Sequence, residues 1–133
     1  DVLLMKAEAL NELNRGEEAI AIIEEIRTLR EALDLTAQTP AANDPSSIAE
    51  YILAERSREL AFEGKRWFDV LRFARRDNYA RLDLILTMAL SSAPPSQQQS
   101  IRNKLQDPNS HYLPINQNEL FTNKQLVQNP FYN

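Results

Sequence analysis

Val2, Leu3, Met5, Ala9, Leu10 and Leu13 recur at helical spacing, and the pattern stops at Asn14-Arg15-Gly16. A first helix ending at that tight turn is predicted. A second begins with Glu17 and Glu18, where the positive end of the helix dipole favours carboxylates. Its apolar face is Ala19, Ile20, Ile22, Ile23, Ile26, Leu29 and Leu33, so residues 1–33 read as an antiparallel helical hairpin. Small residues at positions 7, 9 and 19 would let two helices approach closely, as in tetratricopeptide-type pairs. The usual glycine and proline positions are not all filled, and one pair is no array.

Residues 34–47, "DLTAQTPAANDPSS", read as a loop, with Ser46 or Ser47 to cap the next helix and Glu50 in or near its first turn. From Ile48 to about Asn78 the chain looks helical, with Gly64-Lys65 as the place for a break. "LDLILTMAL" is a short apolar helix that "SAPPS" ends, and Pro95 opens a weakly amphipathic helix over "SQQQSIRNKL". After Asp107, Pro108, Pro114, Pro130 and frequent asparagines argue for an extended, irregular tail. The fold class is all-α: a hairpin, further packed helices and that tail.

On a helical wheel through residues 52–71, Ile52, Leu53, Leu60, Trp67, Phe68, Val70 and Leu71 share one broad face, and Arg56 and Glu63 fall in its middle. Charges inside an apolar stripe need partners, since leaving one alone and dry costs several kcal/mol. Arg56 and Glu63 are therefore expected to pair, with Glu55 and Glu59 serving neighbouring groups from the flank. Phe62 and Phe73 fall on the opposite face, so cover on more than one side is expected. Glu55, Glu59 and Glu63 could instead be a general acid/base set, and Trp67 with Phe68 a sugar-stacking platform. Salt-bridge networks and core aromatics are commoner than either, and Glu55→Gln and Glu63→Gln are expected to cost stability rather than turnover.

Composition narrows the classes of function. The chain has 133 residues, 43% of them hydrophobic, enough for one ordinary core. Its net charge is −4 with both signs interspersed, so no basic face is laid out for nucleic acid. There is no cysteine for a disulfide, a thiolate metal site or a nucleophile, and His111 is the single histidine. Ser46, Ser57 and Ser100 have no base near them in sequence, and with only Gly16 and Gly64 no glycine-rich phosphate loop exists. No enzyme and no cofactor are expected. No apolar run approaches the ~20 residues that span a bilayer. The chain opens inside a helical pattern without an initiator methionine, so it is expected to be the C-terminal part of a longer protein.

Residues 53–73, "LAERSRELAFEGKRWFDVLRF", carry a resemblance. They are similar to the signature of the SusD/RagB family of outer-membrane nutrient-binding lipoproteins, whose C-terminal region typically reads ERrxELaFEGxRwfDLxRw. Glu55, Arg56, Glu59, Leu60, Phe62, Glu63, Gly64, Arg66, Trp67, Asp69 and Arg72 fall in place, with Phe73 where the family often has Trp. "HYLPINQNELFTNKQLVQNPFY" resembles the family's terminal segment through Leu113, Pro114, Ile115, Gln117, Asn118, Glu119, Gln128, Asn129, Pro130 and Tyr132. Asn116 replaces a common proline there, and Phe131 a common glycine. The opening hairpin is similar to the family's tetratricopeptide-like pair, with Glu25-Ile26-Arg27 in place of its usual Asn-x-Val-Arg.

The resemblance implies an all-α, SusD-like protein at the cell surface of a Gram-negative bacterium, held to the outer membrane by a lipid on a cysteine absent from this chain. It implies capture of glycans or other nutrients and their delivery to a SusC-type TonB-dependent transporter. The alternative is a tetratricopeptide-like scaffold that makes protein contacts and has no ligand site of its own. The expected parts are the hairpin at 1–33, the signature region at 48–78, a variable region at 79–110 and the terminal segment at 111–133. Sugar recognition needs aromatic faces and hydroxyl-reading polar groups. Outside the expected core the aromatics are Tyr79, Tyr112, Phe121, Phe131 and Tyr132, and Tyr79 with Asn78 and Arg81 is the candidate ligand-binding set.

Overall fold

The structure is a computed structural model that describes residues 1–32 and 39–132. Leu33 and residues 34–38 of the expected loop lie outside them. The described residues contain seven α-helices and two 3-10 turns joined by loops, with no strand. The chain divides into two compact units, residues 1–69 and 70–133, with the boundary inside the fourth helix. None of the described helices is long and apolar enough to cross a membrane.

The first unit is built from α1 (Val2–Glu12), α2 (Gly16–Leu29) and α3 (Pro45–Glu59), with α1 packed on both of the others. Leu4, Ala7, Leu10, Ala19, Ile20, Ile22, Ile23, Ile26, Ile48, Tyr51 and Ile52 form one core. A side chain as fully buried as Ile23 or Ile52 contributes about 1.5–3 kcal/mol. Ala7 and Ala19 are completely enclosed, which is the close helix approach that small residues permit. Ala9 is exposed and takes no part in it.

The hairpin is as expected, but the inward stripe of α1 is not. Leu4, Ala7, Leu10 and Asn11 point inward, whereas Val2, Leu3, Met5 and Leu13 are exposed. α1 carries two apolar stripes, and contact with both α2 and α3 selects the one that includes Asn11, whose side-chain amide donates to the Pro45 carbonyl at 2.9 Å. Leu29 is likewise exposed. At the turn, Asn14 takes a left-handed φ of 57°, and Gly16 meets a different demand: a Cβ there would lie 2.0 Å from the Ala42 carbonyl oxygen. The cap of α3 is Asp44, not Ser46 or Ser47. Its Oδ1 accepts from the Ser46 and Ser47 amides at 3.1 Å and its Oδ2 from the Ser47 hydroxyl at 2.6 Å. Pro45 fixes the first helical position, which places both serines inside the first turn and Glu50 beyond it.

α3 ends at Glu59, and α4 (Arg66–Tyr79) begins only after a turn in which Phe62 and Gly64 have φ of 65° and 71°. This is the break expected near Gly64, and it is long enough to reset helical phase. A wheel drawn straight through it still places Leu60, Val70 and Leu71 inward, where they are buried, but misplaces others: Glu63, Phe62 and Phe68 are exposed and Trp67 is half-buried, while Asp69 is buried.

In the second unit, α4 buries Val70, Leu71 and Ala74. α5 (Leu82–Ser91), centred on the fully buried Ile85, packs on α6 (Pro95–Leu105), and α6 on the 3-10 turn Pro108–His111. The remaining segment is irregular as expected, with a short helix α7 (Gln117–Thr122) and a second 3-10 turn (Pro130–Tyr132) set into it.

Candidate functional site

The charged face of the signature region resolves into two buried clusters in the first unit. Arg56 has a side chain only 4% exposed; its Nε lies 2.9 Å from Asp69 Oδ1, its Nη2 donates to Asp1 Oδ1 at 2.8 Å, and Glu8 Oε1 is 3.8 Å from Nε. The expected partner, Glu63, instead pairs at the surface with Lys65 at 2.9 Å. Helical arithmetic chose Glu63 because it assumed one helix; the turn at residues 60–65 carries Glu63 outward and brings Asp69 back to Arg56. Glu55 forms the second cluster. It accepts from Arg58 and lies 3.3 Å from Arg27 Nε, while Arg27 Nη1 donates to the Tyr51 hydroxyl at 3.0 Å and its guanidinium lies over the Tyr51 ring. Glu59 takes Arg30 at the surface.

These carboxylates are matched to guanidinium or ammonium groups, so what they do chemically is neutralise and position. Buried ion pairs hold geometry more than they add stability. The core reading of Trp67 and Phe68 also changes: Phe68 is exposed and Trp67 only half-buried, so neither is a core residue of the kind expected.

Tyr79, Asn78 and Arg81 lie in the second unit, at and just beyond the end of α4. Asn78 and Tyr79 are successive non-glycine residues with φ of 56° and 64°, a left-handed pair that costs about 1–2 kcal/mol per residue. The Tyr79 ring meets the buried His111 ring at a centroid distance of 5.4 Å and a tilt of 54°. His111 Nε2 is 2.9 Å from the Leu105 carbonyl. The Tyr79 hydroxyl shares a hydrogen bond with that of Tyr112, and burial, ahead of Tyr112, pushes the Tyr79 phenol above its ordinary pKa. Arg75 donates to the same Tyr112 hydroxyl and lies over its ring. Arg81 lies elsewhere, its guanidinium 5.6 Å from the Phe73 ring centre, and Asn78 is exposed. The structure thus joins Tyr79 to Tyr112 and His111, which no sequence spacing signals, and places Arg81 with Phe73.

The terminal segment is held by two side-chain amides. Gln128 accepts from the Ile115 amide at 2.9 Å and returns a hydrogen bond to the Ile115 carbonyl at 3.0 Å, imitating a strand pairing with one side chain. Asn129 donates to the Asn109 and Tyr112 carbonyls and accepts from the Phe131 amide. Between these clamps, α7 presents a shallow cleft of about 370 Å³ lined by Gln117, Asn118, Leu120, Phe121 and Lys124, with Phe121 77% exposed and Lys124 Nζ 4.5 Å from its ring centre.

Among known proteins, the chain is similar to the SusD-like protein P38 of Formosa agariphila, 42% identical over a stretch that covers 54% of this chain and 15% of that protein. It spans about 15% of the length of that curated relative. No solved structure matches the chain. The profile of the SusD family matches residues 1–132, across the hairpin, the signature and the clamped terminal segment alike, and the chain belongs to the SusD family.

Proposed function

We propose that this chain serves in a cell-surface protein that captures glycans or other nutrients and hands them to a SusC-type TonB-dependent transporter in the outer membrane. The family match over residues 1–132 carries this reading. Two features of the structure agree with a binding role in place of catalysis: the signature carboxylates are occupied by Arg56, Arg27, Arg58, Arg30 and Lys65, and aromatic rings stand exposed in the second unit. Anchoring would come from a lipid attached outside this chain. Within it, Tyr79 and Asn78 at the end of α4, and Arg81 beside Phe73 just beyond it, remain proposed ligand contacts. The test is a screen of the full gene product on immobilised oligosaccharides followed by calorimetry, with a pull-down of the transporter from outer membranes. Micromolar binding of at least one oligosaccharide is expected; absence of binding to any sugar or peptide counts against the reading.

One observation favours the second reading, a tetratricopeptide-like scaffold. The outward stripe Val2, Met5, Ala9 and Leu13 on α1 is apolar and exposed over the length of the helix, which is how a helix pair looks before a neighbour covers it. Retained transporter capture by a gene product that binds no ligand would select that reading.

A further inference from the structure

We infer that the Phe121 shelf on α7 is an oligosaccharide contact, separate from the Tyr79 cluster; the inference rests on the capture function proposed above. Gln117, Leu120, Phe121 and Lys124 recur at three- and four-residue steps, so α7 and the turn after it set them on one side. The Phe121 ring has Lys124 on one face and is nonetheless 77% exposed, which leaves the other face open. The amide side chains of Gln117 and Asn118 border the same cleft and donate to no protein acceptor among the described residues. The Asn118 backbone is already taken, its amide by the Asn116 side chain and its carbonyl by the Thr122 hydroxyl, so α7 is locked locally while its outer side chains stay available.

That mixture selects the ligand class. A purely apolar partner would have to dehydrate two amides and an ammonium without replacing their hydrogen bonds, which is costly. A pyranose ring offers both surfaces at once: its axial C–H groups lie against the open face of Phe121, and its hydroxyls reach the Gln117 and Asn118 amides. Lys124 on the far face of the ring adds a positive charge at the cleft, so neutral and acidic sugars are distinguished by the test and not by the shelf.

The full gene product is screened on an array of neutral and uronic-acid oligosaccharides, and the brightest ligand is titrated by calorimetry against Phe121→Ala, Phe121→Leu and Phe121→Trp. Loss of one stacked face weakens binding about tenfold. Phe121→Ala and Phe121→Leu should both show it, although Leu keeps the apolar bulk, and Phe121→Trp should restore affinity to within about twofold. Melting temperature should not move in any of them, because the ring is exposed. Equal affinity of Phe121→Ala and the parent overturns the inference while leaving the capture function intact. Unchanged sugar affinity with lost transporter capture makes Phe121 a protein contact and overturns it also. A parent protein that binds no sugar at all defeats the capture function and this shelf together.

Discussion

At the scale of single residues, the informative one is Arg56. Its guanidinium is enclosed with Asp69, whose side chain is 8% exposed, whereas Glu63 stands 48% exposed beside Lys65. Removing one member of a buried pair leaves the other charged and dry, so Arg56→Met should lower unfolding free energy by about 3–5 kcal/mol. Glu63→Gln should stay within about 0.5 kcal/mol, as surface substitutions do. Thermal melts followed by circular dichroism decide it, and a large loss from Glu63→Gln would restore the pairing that the wheel suggested. Glu55→Gln should also destabilise, through Arg27 and Arg58 and not through Arg56. That Arg56 needs a carboxylate could be read from an arginine within an apolar stripe; which carboxylate could not, because the answer depends on two left-handed residues, Phe62 and Gly64, that redirect the chain. Tyr79 gives a pH dependence with a definite sign. Its folded pKa lies above the ordinary value of about 10, so folding favours the protonated phenol. Its contribution is complete below pH ~10 and declines as pH rises past it, when the unfolded chain ionises first. In ultraviolet titration, the step that Tyr79→Phe removes from the parent curve should lie above the ordinary tyrosine value; a removed step centred at the ordinary value would rule the burial out.

At the scale of elements, helix positions were legible and helix faces less so. Gly16, Pro45, Pro95 and the Asn14 turn punctuate the chain by backbone chemistry that acts locally, and the helices begin and end accordingly. The face of α1 was hidden because Val2, Met5, Ala9 and Leu13 repeat as regularly as Leu4, Ala7 and Leu10, and only the packing of α2 and α3 selects between them. The cap of α3 shows the same logic on a smaller scale: Ser46 and Ser47 have capping chemistry, but Pro45 at the first position hands the role to Asp44, whose carboxyl is held below its usual pKa by the Ser47 hydroxyl first and the Ser47 and Ser46 amides after it. The terminal segment tests whether a motif can be a fastener. Gln128 makes three hydrogen bonds, two with Ile115 and one from the Asn129 amide at 2.8 Å. At about 0.5–1.5 kcal/mol each, Gln128→Ala should release the segment locally. Hydrogen exchange at the Ile115 and Asn129 amides should accelerate by at least about tenfold, with little change at Ile23 in the first unit; unchanged exchange at Ile115 would mean that the clamp does not hold the segment.

For the whole molecule, the family was legible in two short motifs and the ligand in neither. The reason is physical: the signature residues spend their charges on each other and on the hairpin, at Arg56 with Asp69, Glu55 with Arg58 and Glu55 with Arg27 of α2, so they specify a fold that any ligand specificity could share. We propose that recognition comes from exposed groups that cost the fold little to change, such as Asn78 and the Phe121 shelf. A single aromatic face with a few hydroxyl contacts reaches only weak affinity, because association costs several kcal/mol of lost freedom before any surplus appears. A dissociation constant near 1 mM corresponds to about −4 kcal/mol, which is what one shelf of this size can supply. Micromolar capture, about −8 kcal/mol, needs contacts from outside these residues, in keeping with a chain that spans about 15% of its curated relative. Residues 1–133 expressed alone, and shown helical by circular dichroism, should therefore bind the sugar selected by the full gene product at least about a hundredfold more weakly, measured by ligand-observed NMR. Equal affinity in the two would place the whole site within residues 1–133; complete loss of the NMR signal, with helicity intact, would assign these residues to the scaffold reading.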